Sequence, residues 1–162
     1  MFNKVLIANR GEIALRVIRA CRELGLETVA VYSTADRDSA AVHAATEAVC
    51  IGPPPPLRSY HNAAAITEAA LQTGADAVHP GYGFLSEDPD FAEICVDNGL
   101  IFIGPPPGVM RQLGDKSTAR SLMQEAGLPL LPGSVQTLDS AAKAQQYADE
   151  IGYPVIIKAA AV

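Results

Sequence analysis

"KVLIANRGEIALRVIRACRELGLETVAVYS", residues 4–33, decides the fold. Its first six residues are a short apolar run suited to a buried strand. A glycine-containing turn follows, then a helical pattern from Glu12 to Leu24 closed by Gly25, and "ETVAVYS" reads as a second strand. Strand, helix, strand within about 30 residues is a βαβ unit, which implies a parallel sheet with right-handed crossovers. The alternation continues outward. "EAVCIG" (47–52), "DAVHP" (76–80) and "LIFIG" (100–104) read as strands, and helices are expected over 59–72 and 88–98. The second of these is well punctuated, with Asp88 as N-cap, Pro89 at the first helical position and Gly99 past the end. Five strands and four intervening helical segments make a doubly wound α/β domain over residues 1–104.

Beyond it the pattern changes. "CIGPPPPLRS" and "FIGPPPGVMR" both stop an apolar run with glycine and prolines, a local echo rather than a repeat. Residues 105–130 read as a connecting segment that includes the helix "GDKSTARSLMQEAG". Residues 131–162 supply the end of "LPLLPGS" as a short strand or extended segment, a helix from Asp139 to Ile151, and a final strand in "PVIIKAAAV".

The 162 residues allow one domain with a real core plus the beginning of a second. Hydrophobic residues at 49% against 19% charged exclude a disordered chain. No apolar run approaches the ~18 residues of a membrane span. The start "MFNKVLIANRGEIALR" is neither a signal nor an acid-poor transit peptide, which points to the cytoplasm. A formal charge of −6 argues against a general nucleic-acid surface. Cys21, Cys50 and Cys95 are odd in number, far apart and embedded in apolar patterns, so buried free thiols are expected rather than disulfides or zinc ligands.

Several stretches carry candidate chemistry. "ANRGEIALR" sits where a dinucleotide fingerprint would follow the first strand of a Rossmann-like sheet, yet only Gly11 of the spaced glycines is present. Asp36, after the second strand, stands where a ribose-binding acid would; a tight turn and a solvated aspartate are the favoured reading. On the first helix Glu12, Arg16, Arg19 and Glu23 form a charged stripe beside the apolar one. Its i,i+4 pairs are worth only ~0.3–0.5 kcal/mol each if exposed, so a solvated face is the default and a polar subunit contact the alternative. "HPGYGFLSED" follows the fourth strand at the edge where open parallel sheets bind ligands, with Gly81 and Gly83 bracketing Tyr82. A helix entry held by two glycines and a packed tyrosine fits that pattern equally well. Lys116, in a helix's first turn, opposes the macrodipole by ~0.3–1 kcal/mol, which a phosphate would offset; pairing with Asp115 is the bland account. Lys158, inside the last apolar run, must reach water or an anion, because an unpaired buried ammonium costs several kcal/mol. An edge-strand lysine and a polyphosphate clamp both satisfy it.

"NKVLIANRGEIALRVIRACRELG", "VHPGYGFLSE", "FIGP…GDKSTA" and "GYPVIIKA", in this order and spacing, resemble the N-terminal part of biotin carboxylase, the ATP-dependent ligase component of acetyl-CoA carboxylase and related biotin-dependent carboxylases. The resemblance spans nearly the whole chain. It implies an α/β fold in which a Rossmann-like domain precedes the start of an ATP-grasp domain. It implies ATP- and bicarbonate-dependent carboxylation of biotin on a biotin carboxyl carrier protein, with carboxyphosphate as the activated species and Mg2+ or Mn2+ shielding the phosphates. A carboxyltransferase component and a homodimer are the implied partners, and fatty acid synthesis is the implied role. By the same resemblance Lys116 and Lys158 are ATP-phosphate ligands, Tyr82 and Gly83 lie at the biotin end of the site, and Arg16, Arg19 and Glu23 match a dimer contact. In the family "IIKA" leads into a glycine-rich loop, metal-holding glutamates and an arginine-bearing region. None of these occurs here. The expectation is therefore an N-terminal fragment with no catalytic residue or metal ligand of its own, inactive alone. A non-catalytic module that keeps only the fold and the dimer face is the rival. A small nucleotide-binding oxidoreductase domain is disfavoured by the missing glycines.

Overall fold

A computed structural model describes residues 2–134 and 137–158, of Lys116 and Ser117 the backbone only. It divides into two compact units, Met1–Pro107 and Gly108–Val162.

In the first unit five strands form one parallel sheet: β1 (Lys4–Ile7), β2 (Glu27–Ser33), β3 (Glu47–Gly52), β4 (Ala77–His79) and β5 (Ile101–Phe102), in the order β3-β2-β1-β4-β5. Helices α1 (Gly11–Glu23), α2 (Ala40–Ala44), α3 (Ala63–Gln72) and α4 (Pro89–Asp97) make the crossovers. The central strand has helices on both faces, so it reads as an unbroken apolar run rather than an alternation. Val5, Leu6 and Ile7 are all fully buried, and each such side chain contributes about 1.5–3 kcal/mol relative to exposure. One face of the sheet packs Val5, Ile7, Ala30 and Ala77 against Ala14, Val17, Ile18 and Cys21, the apolar stripe of α1.

The ends of α1 and α4 explain why short strands follow directly. Gly25 takes a positive φ of 71°, its N–H bonds to the Arg22 carbonyl at 3.1 Å, and the Leu26 N–H reaches back to the Cys21 carbonyl at 2.9 Å. The two bonds satisfy carbonyls at the helix end and turn the chain into β2. Asn98, Gly99 and Leu100 repeat the arrangement after α4. The start of α4 is as expected: Asp88 Oδ1 accepts from the amides of Asp90 (2.9 Å) and Phe91 (3.1 Å), with Pro89 at the first turn.

Four expectations are corrected. Cys50 is exposed, unlike the buried Cys21 and Cys95; it lies on β3, an edge strand of the sheet. The helix expected from Ser59 begins at Ala63, capped by Asn62, because residues 56–61 fold into a tight turn that buries Tyr60. A helix α5 (Pro107–Gly114) precedes α6 (Lys116–Glu125), where only the second was expected. The described residues 155–158 of the last apolar run are not a strand; a strand needs a hydrogen-bonded neighbour, and none is paired there. Residues 159–162 of that expected strand lie outside the described residues.

In the second unit Asp115 caps α6 by accepting from the Thr118 amide at 2.7 Å, and Ser140 caps α7 (Ala141–Ile151). Tyr147 donates to the Gly133 carbonyl at 3.2 Å, and Arg120 donates to the Leu131 carbonyl. Among the described residues no helix is long and apolar enough to cross a membrane.

Gly52 ends β3 at φ +144°, where an added Cβ would run into the Arg58 carbonyl, whereas Gly25 has open space around it. Gly52→Ala is therefore expected to cost about 3 kcal/mol or more, and Gly25→Ala about 1 kcal/mol, in urea unfolding. Equal losses would mean that the turn after β3 yields more readily than its packing implies.

Candidate functional site

The strand order reverses direction on either side of β1: the chain runs outward through β2 and β3, then returns to place β4 and β5 on the other side. Loops after β1 and β4 consequently part, and the crevice between them is the place where open parallel sheets bind ligands. Here the crevice is closed at its base by one side chain. Asn9, only 3% exposed, donates from Nδ2 to the Pro80 carbonyl at 2.7 Å and to the Tyr82 carbonyl at 2.8 Å, while its Oδ1 accepts from the Arg10 amide at 2.9 Å. Carbonyls can only accept, so this pattern fixes which end of the amide faces the loop.

The loop itself is tightly wound. Gly81 and Gly83 have φ of +68° and +64°, and Phe84 takes φ +46°, an uncommon state for a residue with a side chain. A Cβ on Gly81 would stand 2.8 Å from Asn9 Nδ2, so the glycine is required by close approach as well as by φ. The Gly81 amide donates to His79 Nδ1 at 3.0 Å. Burial lowers the His79 pKa, and the neutral ring is the form that offers Nδ1 as an acceptor.

A second group of contacts fastens the other end of the loop. Phe84 stacks on Tyr60 at 5.1 Å and meets His61 edge-on at 5.3 Å. The Tyr60 hydroxyl donates to Asp36 Oδ2 at 2.7 Å and accepts from the Ser33 amide at 2.9 Å. Asp36 also accepts from Ser33 Oγ at 2.8 Å and pairs with Arg10 at 3.1 Å, and the Arg10 guanidinium lies 5.5 Å from the centre of the Tyr60 ring. The loops after β1, β2, β3 and β4 thus meet through Arg10, Asp36, Tyr60 and Phe84. Asp36 is neither the ribose ligand considered nor a solvated loop acid. It joins three loops, which follows from residues distant in sequence and from no local pattern.

Tyr82 points outward, 60% exposed, and its hydroxyl donates to Glu12 Oε1 at 2.9 Å. That bond, together with the Glu12 charge, raises the Tyr82 pKa. Glu12 therefore serves the loop rather than the expected ion pair with Arg16. Arg16, Arg19 and Glu23 share one exposed stripe of α1 with Leu15 and Ala20, where they line a shallow groove. Among the described residues no ion pair joins Arg19 to Glu23. Lys158 is exposed in the second unit, and the Lys116 backbone opens α6 while its side chain lies outside the described residues. Asn9, Arg10, Tyr60 and Phe84 were not singled out from sequence. The one signal available was the polar pair Asn9–Arg10 at the end of an otherwise apolar strand.

Comparison with known proteins gives a consistent picture. Residues 1–110 match the family described as biotin carboxylase, N-terminal domain, and residues 115–162 match the carbamoyl-phosphate synthase L chain, ATP binding domain. A biotin carboxylase of Nostoc sp. is 55% identical over 160 residues, which cover 99% of this chain and 36% of that protein. The mitochondrial methylcrotonoyl-CoA carboxylase subunit alpha of Oryza sativa is 57% identical over 155 residues, 96% of this chain and 21% of that one. Among solved structures, the Campylobacter jejuni biotin carboxylase in complex with β-γ-ATP superposes with a TM-score of 0.94 at 48% identity. It is matched over 100% of this chain and 36% of its own. The biotin carboxylase domain dimer of Hydrogenobacter thermophilus 2-oxoglutarate carboxylase, with MgADP, ADP and bicarbonate, gives 0.92 at 50% identity and the same coverage. The chain thus spans about a third of the length of the biotin carboxylases it matches.

Burial, then the bond to Asp36, push the Tyr60 phenol up to about 12. In the unfolded chain it would ionise near its ordinary value of ~10. Between those values the unfolded state has already released the proton that the folded state keeps. The stabilisation is therefore full below pH ~10 and is lost as pH rises through about 12. Denaturation from pH 9 upward is expected to show this decline in the natural chain and a flatter profile in Tyr60→Phe. An unchanged profile in the variant would assign the alkaline loss to other groups.

Proposed function

The chain belongs to the biotin carboxylase family, and from that premise we propose that it carries the N-terminal part of an enzyme that uses ATP and bicarbonate to carboxylate biotin. In this reading bicarbonate is phosphorylated by ATP, and the resulting mixed anhydride delivers its carboxyl group to a biotin held on a biotin carboxyl carrier protein. The observation that carries the reading is the loop after β4, held at one end by Asn9 and at the other by the stacking of Phe84 on Tyr60, which leaves Tyr82 60% exposed at the C-terminal edge of the sheet. Tyr82 and Gly83 line the biotin end. The flat ring offers apolar contact to a bicyclic ligand, and the close-turning glycines let backbone amides approach it. Lys116 and Lys158 take the ATP phosphates, as charges that attract and orient rather than react. Mg2+ or Mn2+ accompanies the ATP in this reading and shields its phosphates; among the described residues no group of three or more acidic, imidazole or thiol side chains is arranged to hold a metal ion.

Arg16, Arg19 and Glu23 are proposed to meet a second copy of the chain, since a stripe bearing both signs of charge can complement itself across a two-fold axis. The further assignment is to an acetyl-CoA carboxylase of the cytoplasm, with a carboxyltransferase component passing the carboxyl group to acetyl-CoA for fatty acid synthesis. Relatives named for methylcrotonoyl-CoA and 2-oxoglutarate are as similar as those named biotin carboxylase alone, so the final acceptor is tested separately, by supplying acyl-CoA substrates to the assembled system.

In the full-length gene product, ATP cleavage is expected to require bicarbonate and to rise on addition of free biotin. Tyr82→Ala should raise the biotin KM about tenfold and leave the ATP KM unchanged, whereas Lys158→Ala should do the reverse. ATP cleavage indifferent to both bicarbonate and biotin would overturn the reading. For the subunit contact, Arg19→Glu should shift sedimentation toward the monomer; a dimer unaffected by the change would place the contact elsewhere.

A further inference from the structure

We propose that Asn9 is a positioning residue for biotin: it touches no reactant, and it sets the place of Tyr82 and Gly83 by holding the backbone on either side of Gly81. The inference rests on the assignment of those two residues to the biotin end of the site.

Three features carry it. Both amide hydrogens of Asn9 are spent on the loop, on the Pro80 and Tyr82 carbonyls at 2.7 and 2.8 Å, and neither is used for β1, which ends two residues earlier. The side chain's own orientation is locked from behind by the Arg10 amide, which donates to Oδ1 at 2.9 Å. The site is also cut to the length of this side chain, because Gly81 lies so close that a single added carbon would stand 2.8 Å from Nδ2.

The substitutions that chemistry offers all fail in identifiable ways. Aspartate has the shape but would face two carbonyls with a carboxylate that can donate nothing. Serine reaches less far and has one hydrogen where two are needed. Glutamine adds a carbon into the space that Gly81 leaves. A buried group with two donors on a short arm is what this geometry selects. Asn9 also lies in the short turn between β1, which ends at Ile7, and α1, whose Glu12 accepts from the Tyr82 hydroxyl at 2.9 Å. Backbone and side chain of Tyr82 are consequently both referred to the same turn after β1. Loosening the Asn9 bridge frees the Tyr82 backbone, and none of the hydrogen bonds that Asn9 makes involves the residues assigned to ATP, so the effect is expected on biotin and not on ATP.

The test uses the full-length gene product and compares Asn9→Ala with Ile66→Val, a change in the buried core of α3. Asn9→Ala is expected to raise the biotin KM at least tenfold with the ATP KM within twofold of the natural protein, and Ile66→Val to leave both unchanged. Parallel loss of kcat and of both KM values, or no change in the biotin KM of a folded Asn9→Ala protein, would overturn the proposal. Should Asn9→Ala not fold, Gly81→Ala decides the matter, since it keeps Asn9 and pushes the loop away from it. It must give the same split between biotin and ATP, and an unaltered biotin KM counts against the proposal. A natural protein whose ATP cleavage shows no dependence on biotin would contradict the functional assignment, and the role of Asn9 with it. A biotin-dependent natural protein with an indifferent Asn9→Ala contradicts the role of Asn9 alone.

Discussion

Asn9 donates two hydrogen bonds from inside the protein to carbonyls of a loop some seventy residues later in the chain, and the C-terminal edge of the sheet is built around that bridge. A buried amide whose hydrogens lack partners costs about 1–3 kcal/mol, so the loop after β4 is obliged to bring its carbonyls to Asn9. That demand selects glycine at position 81, where any side chain would collide with the amide, and it leaves the next residue, Tyr82, facing outward. The loop then needs a second anchor. It has one in Phe84, which accepts an unfavourable backbone conformation at φ +46° in exchange for stacking on Tyr60.

The second anchor depends on electrostatics as much as on packing. Tyr60 is fully buried, yet its hydroxyl is satisfied from both sides, donating to Asp36 and accepting from the Ser33 amide. Asp36 in turn balances its charge against Arg10, whose guanidinium also lies against the Tyr60 ring. A buried polar network is favourable only when every member is paired, and here the phenol and both carboxylate oxygens have partners. Under the proposed function, a ligand that meets Tyr82 and Gly83 finds a loop already held at both ends and does not have to order it, which reduces the entropic cost of association.

How much of this was legible in the sequence follows from how local each signal is. The βαβ unit, the cap formed by Asp88 and Pro89 and the turn at Gly99 depend on neighbours within a few residues, and the structure has them as read. The quoted stretch "VHPGYGFLSE" marked the loop after β4, because two glycines around an aromatic residue are unusual, and both glycines do take positive φ. Asn9 and Tyr60 gave no such sign, and Asp36 only that of an acid after the second strand. The partners that join them to other loops lie 24 to 73 residues away, and only the strand order brings them together. The start of α3 was misplaced for the same reason, since Tyr60 is drawn into the core by Asp36 and Phe84 and so cannot sit on a helix that begins at Ser59. The strand expected around Lys158 failed on a different count: an apolar, β-branched run states a preference, but a strand exists only where another strand pairs with it.

The account stands on biotin meeting the braced loop at the switch point of the first sheet. A crystal structure of the full-length gene product with biotin, bicarbonate and MgADP tests this most directly. The bicyclic ring of biotin is predicted to lie within ~4 Å of Tyr82 and Gly83, with both bonds from Asn9 to the loop unchanged. Biotin seated elsewhere, or a loop that leaves Asn9 to receive it, would contradict the account.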